Sequence, residues 1–269
     1  MKKPASRQPV INQRRAYFEC RFGQLHVRTA FPSTGGFDEL TPLICLHESP
    51  RSSASFGAFL AAMATDRSVY ACDLPGHGES DPTADPPSIA DYAIAIGDFL
   101  DGLRLREADV VGIGSGAATA IELGLARPQG IRRIVVAQVP IAAERPAAVP
   151  APTEDGRHLA AGWARSRGAR GADEPLERFA SGYAEELRQG LRSAWGAAAA
   201  AAWPGRERLR QLAQPLLVLR AGGAQPDTAA ATRDASPKAV LRDHPRSGAA
   251  MFHLEAAEVA DEVRAFLGR

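Results

Sequence analysis

Residues 109 to 124 read DVVGIGSGAATAIELG. The run DVVGIG is short, apolar and β-branched, as a buried strand requires, and ATAIELGLA is rich in helix formers. Between them lies a turn made almost entirely of glycine. A strand passing through a sharp turn directly into a helix is the repeating joint of a parallel sheet, so this stretch predicts an α/β protein.

The flanking sequence repeats the alternation. YFECRF and QLHVRTAF flank Gly23 and alternate with period two, which predicts a hairpin. PLICLH (42–47) and SVYACD (68–73) are strand-like. SFGAFLAAMA lies between them and carries Phe56, Phe59, Leu60 and Met63 at helical spacing. IADYAIAIGDFLDGL predicts a helix before the decisive stretch, and IRRIVVAQ a strand after it. PLLVLR (215–220) and AVLRDH (239–244) resume the strands, and EVADEVRAFL closes the chain as an amphipathic helix with Val259, Val263 and Phe266 on one face. The expected architecture is a mostly parallel eight-stranded sheet with helices on both faces. From Ile141 to roughly residue 208 the pattern changes to a proline- and alanine-rich segment followed by helical stretches. This part holds Trp163, Trp195 and Trp203, with six consecutive alanines at 197–202. It is expected to be a helical cap inserted between two sheet strands, with the alanine run a close-packed helix. The domains are therefore a flexible basic tail at 1–15, a core at 16–140 and 209–269, and a cap at 141–208.

The 269 residues are 45% hydrophobic, enough for one substantial core. Lysine and arginine number 32 against 31 acids, and no basic run is interleaved with aromatics, so nucleic acid is not expected as a partner. No apolar run approaches the ~20 residues that span a bilayer. Cys20, Cys45 and Cys72 are odd in number and widely spaced in strand-like segments, which suits thiols in a reducing compartment, and cytoplasm is the expected location. No metal or cofactor is expected; the partner is a small-molecule substrate or ligand.

Three segments in order, LHESP, DLPGHGESD and VVGIGSGAA, make the chain resemble the α/β-hydrolase superfamily from about Tyr17 to Leu267. The likeness is greatest to a small-molecule hydrolase branch with an LH-x-SP oxyanion loop and a DG-x-HL cap motif, here Asp155, Gly156, His158 and Leu159. The resemblance implies a G-x-S-x-G elbow presenting a nucleophile on a strained turn. Aligned on its glycines, the elbow reads Gly112, Ile113, Gly114, Ser115, Gly116, which puts Gly114 where the nucleophile belongs. Ser115 comes one residue late. The base position implied by the family falls on Ala250, or on Ala249 by a GHG-x-F alignment, and His253 matches a second, non-catalytic histidine. The acid position after the seventh strand falls at Gly222, Gly223 and Ala224, with Asp227 late, and the alternative position after the sixth is near Gln138.

The standard Ser-His-Asp triad is thus expected to be replaced. An oxyanion hole needs only backbone N–H groups, from Ser115 and from Glu48 or Ser49. Candidate catalytic residues are Glu48, Ser49 and Ser115; His47, Gly114 and His158 are candidate substrate-binding residues. A desolvated Glu48 would exchange protons, whereas a salt bridge to Arg51 would make it structural. His47 is expected to support the oxyanion loop and His77 a turn. Three functions compete: a non-triad enzyme acting on a small, partly apolar carbonyl or ester metabolite, a non-catalytic binder of ligand or partner, and a dinucleotide binder. The last rests on GIGSGA as G-x-G-x-x-[GA] and lacks the acidic residue that fingerprint wants, since Gln138 stands there.

Overall fold

The hairpin expected around Gly23 opens the chain. β1 (Asn12–Cys20) pairs antiparallel with β2 (Gly23–Phe31), closing at Cys20↔Gly23. In the computed structural model, the described residues are 11–32, 39–141, 146, 148–168, 170–171, 173–222, 228–244 and 248–268. The alternation then proceeds through β3 (Leu40–Leu46), α1 (Gly57–Met63), β4 (Arg67–Cys72), α2 (Ile89–Gly102), β5 (Ala108–Ile113), α3 (Ser115–Ala126) and β6 (Ile131–Ala137). Between β6 and the next strand lie α4 (Arg157–Arg167), α5 (Leu176–Gln189), α6 (Trp195–Ala202) and α7 (Gly205–Gln211). β7 (Leu216–Ala221), α8 (Thr228–Ala235), β8 (Val240–His244), α9 (Met251–Leu254) and α10 (Ala256–Leu267) complete the chain.

The eight strands form one sheet in the order β1-β2-β4-β3-β5-β6-β7-β8, parallel from β4 onward. Their composition accounts for this. β4 and β5 are buried at every residue, as strands covered on both faces must be. One face packs against α2 and α3 through residues such as Tyr92, Phe99 and Ile121, and the other against α1 and α10 through Phe59 and Val263, with Phe56 just before α1. Phe252 meets Phe56 at 4.9 Å and Phe59 at 5.1 Å between ring centroids. Truncating one such ring to alanine typically costs about 3–5 kcal/mol. Val259 and Val263 of α10 are fully buried, as its amphipathic pattern predicts.

The order β4-β3-β5 places β3 where the sheet's connections reverse direction. The loops leaving the carboxyl ends of β3, β4 and β5 therefore emerge side by side. Open α/β sheets bind ligands at such a point. Here those loops are LHESP, DLPGHGES and the glycine turn.

One expectation needs correction. Residues 12–15, read as part of a basic tail, belong to β1, because Arg14 and Arg15 pair with Thr29 and Arg28 across the hairpin. Their charge marks an exposed edge strand, which is one way such edges resist pairing. The alanine run is a close-packed helix, as expected: Ala199, Ala200 and Trp203 join the buried cluster formed with α2 and α3. Small side chains let α6 approach α3 closely.

Candidate functional site

Gly114 caps the N-terminus of α3 with φ 56° and ψ −123°, a conformation that side chains rarely adopt. A Cβ built there would lie 2.8 Å from Cβ of Glu48 and 3.5 Å from its Cα. The bend thus has the shape of an elbow, and Glu48 stands where a side chain on the bend would go. Gly116 is equally constrained, since a Cβ there would meet the Leu46 carbonyl oxygen at 2.1 Å. The loop after β3 lies directly on the turn after β5.

Glu48 has its Oε2 sealed from solvent with no hydrogen-bond partner. Desolvation raises its carboxyl above the usual range, opposed only in part by a backbone hydrogen bond and by the charges of Arg51, His47 and Arg178. The alternative of a salt bridge to Arg51 is not what the geometry shows. Arg51 instead lies 5.9 Å above the Phe179 ring and packs against Gly182 of α5. Among the described residues no ion pair joins it to Glu48. Arg178, also from α5, has its Nε buried without a hydrogen-bond partner and 3.4 Å from Glu174, a pairing too long to be a good hydrogen bond.

His47, a candidate substrate-binding residue, is fully buried and has both ring nitrogens bonded to backbone groups. Its Nε2 accepts from Leu74 N–H at 2.9 Å, so Nδ1 carries the proton and donates to the Glu48 carbonyl, also at 2.9 Å. This fixes the loop from behind.

Ser49 and Ser115 are brought together in an unexpected way. Ser49 N–H, a candidate oxyanion donor, donates to Ser115 Oγ at 2.9 Å. Ser115 is buried. The Ser49 hydroxyl donates to the Ser193 carbonyl of the segment between β6 and β7 at 3.0 Å, and lies 3.0 Å from His77 Nε2. The opposite nitrogen, His77 Nδ1, faces the Pro75 carbonyl at 3.3 Å. His77 is buried, and desolvation pulls its pKa down to about 3, so the ring is neutral. Sequence reasoning assigned His77 to a turn and missed this contact. The signal that could have found it is the strand order, which sets the loop after β4 beside the loop after β3.

The remaining sites behave differently. Ala250, at the implied base position, is buried just before α9. His253 is exposed on α9 and within electrostatic range of Arg178 and Glu174. Gln138 has φ 50° at the end of β6. Gly223, Ala224 and Asp227 lie outside the described residues, as do residues 1–10 of the expected tail. His158 is not gathered with the others. Its Nδ1 accepts from Thr153 N–H at 3.0 Å, and it lines a cavity of about 190 Å³ with Leu159, Arg165, Tyr183 and Glu186, to which neither Glu48 nor Gly114 contributes. Its place on the DG-x-HL turn fixes it to its own helix, α4.

The inserted helices are tied to the loop after β3 at three further points. Gln189 Nε2 donates to the Pro50 carbonyl at 2.7 Å, Ser52 Oγ donates to Glu185 at 2.8 Å, and Gly196 of α6 sits against Ser49 and His77. A second, larger groove of about 610 Å³ opens between α6 and the start of α2, lined by Trp195, Trp203, Ile89 and Pro87. Its polar corner is Glu122, which takes 2.6 Å bonds from Arg208 Nε and Nη2 and a 2.7 Å bond from Trp203 Nε1.

An eight-stranded, mostly parallel sheet carrying a glycine bend between β5 and α3 defines an α/β-hydrolase fold. A model of the Alpha/beta hydrolase family matches residues 43–262, and the chain belongs to that family. Among curated relatives, it is 32% identical over 116 residues to a 2-hydroxymuconate semialdehyde hydrolase of Pseudomonas sp. (strain CF600), covering 41% of this chain and 39% of that one. It is 29% identical over 94 residues to an uncharacterised protein of Mycobacterium bovis, covering 35% and 28%. The matched stretches thus span well under half of these relatives. Among solved structures, an enol-lactonase from Burkholderia xenovorans LB400 superposes with a TM-score of 0.77 at 17% identity, over 94% of this chain and 99% of that one. An esterase from Exiguobacterium antarcticum gives 0.74 at 15%, over 93% and 98%. At these identities the likeness is one of fold.

Proposed function

We propose that the protein is a hydrolase-superfamily enzyme without the standard triad, acting on a small, partly apolar carbonyl or ester metabolite beneath the inserted helices, which serve as a lid. Glu48 is its proton-transferring group. The observation that carries this reading is Glu48 itself: it fills the space above the Gly114 bend, and its Oε2 is buried with no partner. A carboxyl that is desolvated and unpaired holds its proton to higher pH and can donate it to a carbonyl oxygen or leaving group. The amides of Ser115 and Gly116 lie at the positive end of α3, ahead of the Ala117 and Ala118 amides that donate to the Gly114 carbonyl, so they add to the stabilisation of a developing oxyanion. Lactones, activated esters and similar substrates suit such a site, because their leaving groups need little help. Loss of a serine-histidine pair at the usual positions costs on the order of a millionfold for ordinary substrates.

One observation favours a second reading, a non-catalytic ligand binder. Ser115 Oγ already occupies Ser49 N–H, half of the oxyanion hole the fold would otherwise offer. Hydrolysis of an activated aryl ester separates the two. For the enzyme, Glu48→Gln lowers kcat/KM by about a hundredfold or more, the usual worth of a general acid. Turnover indistinguishable from the uncatalysed rate in the unaltered protein, or unmoved by Glu48→Gln, rejects it.

A further inference from the structure

We infer that Ser49 is the nucleophile of this site and His77 its base, a serine-histidine pair displaced from the elbow to the neighbouring loops. The inference rests on the reading above that the site is catalytic, and supplies the attacking atom that Gly114 lacks.

The hydrogen-bond geometry assigns the protons. A carbonyl can only accept, so the Pro75 oxygen facing His77 Nδ1 places that ring's proton on Nδ1 and leaves Nε2 bare. The single hydroxyl hydrogen of Ser49 then has two acceptors at the same distance of 3.0 Å, His77 Nε2 and the Ser193 carbonyl. Ser193 belongs to the inserted segment. Were the Ser193 carbonyl withdrawn, His77 would be the acceptor that remains, and the pair would take the arrangement of a nucleophile hydrogen-bonded to its base. With the segment in place, the hydroxyl is shared and its attack is restrained. Tyr92 and His47 flank the His77 ring at 6.0 Å and 5.3 Å between centroids.

The chemistry balances. Ser49 Oγ attacks the acyl carbon while its proton passes to His77 Nε2. The leaving alkoxide departs with that proton, giving an acyl-serine and an alcohol. A water, deprotonated by the same Nε2, then attacks the acyl carbon and releases the acid, returning the proton to Ser49. No carboxylate braces His77, whose Nδ1 partner is a neutral carbonyl, and the burial that lowers its pKa to about 3 makes it a weak base. Mutating the bracing aspartate of a full triad costs about 10⁴-fold in kcat, so the pair is expected to be slow and to need activated acyl groups.

The test uses an alkyl fluorophosphonate, which phosphonylates a serine activated by a neighbouring base with loss of fluoride. Intact-mass measurement of the full chain is expected to show one adduct per molecule, and peptide mapping to place it on Ser49. The adduct is expected to vanish in Ser49→Ala, whose folding is checked by its thermal transition. No adduct in the unaltered protein, or an adduct mapped to Ser115 or any other serine, overturns the inference. Failure of the Glu48 reading is distinguishable, because it shows as ester hydrolysis unmoved by Glu48→Gln whether or not Ser49 is labelled.

Discussion

Gly114 and Glu48 explain each other. The backbone angles at 114 suit glycine, and the Cβ of Glu48 claims the volume into which a side chain there would project. A serine placed at the bend would therefore meet Glu48. Gly114→Ser is expected to destabilise the fold by about 1–3 kcal/mol, the usual cost of a non-glycine residue held at positive φ. Part of that cost is expected to be recovered in the Glu48→Gly background. A double-mutant cycle by urea denaturation should give a coupling of about 0.5–3 kcal/mol, as for residues in contact, and additive effects would mean that the two do not compete for space. The glycine bend at 114 was legible in the sequence, because GIGSG stands between a strand run and a helix run. So was the interest of a carboxylate at 48. The donation from Ser49 N–H to Ser115 Oγ was not legible, since it depends on how closely two loops from different strands approach.

At the scale of elements, the site is a product of strand order. β3 lies between β4 and β5, so LHESP, PGHGES and the glycine turn converge although they are far apart in the chain. The strands and helices could be read from periodicity and glycine punctuation. The docking of α6 could not, because six alanines carry no amphipathic signal and only the approach to α3 shows which face is buried. α6 also lies close against the loops after β3 and β4: a Cβ on Gly196 would stand 2.6 Å from Ser49 Cβ and 3.1 Å from His77 Cε1. Gly196→Ala is accordingly expected to push α6 off the loop and to cost about 1–3 kcal/mol, the range for overpacking a filled interior. Thermal denaturation measures it, and an unchanged midpoint would mean that α6 yields freely. The Glu122 cluster makes a separate prediction. Glu122→Ala strands both Arg208 and the indole N–H of Trp203, and is expected to cost about 1–3 kcal/mol as an unsatisfied buried donor does. Trp203→Phe, which removes a donor with its ring retained, should cost less.

For the whole molecule, the titrating groups set how stability varies with pH. His77 falls from 6.5 to about 3 on folding because it is desolvated. Burial alone would push Asp73 up, but hydrogen bonds with His26 and from the Ser53 and Glu79 amides outweigh it and bring Asp73 from 3.8 to about 2. Both folded values are depressed, so the unfolded chain binds more protons in these windows and stability is lost as pH falls from about 6.5 toward 3 and below. Urea midpoints across that range are expected to decline, with a shallower slope in His77→Gln. Glu48 has the opposite sign: its raised carboxyl favours the fold at low pH and opposes it as pH rises through its folded value. The same titration offers the most direct test of the central claim, that a buried carboxyl at the bend carries the chemistry. The measurement is kcat/KM for an activated aryl ester from pH 4 to 9 in the unaltered protein and in Glu48→Gln. The account predicts a rate that falls as pH rises through a group titrating above 4.5, the ordinary value for glutamate, and loss of that limb in the variant. A rate that instead climbs through an ordinary histidine near 6.5 and is the same in both proteins would contradict it.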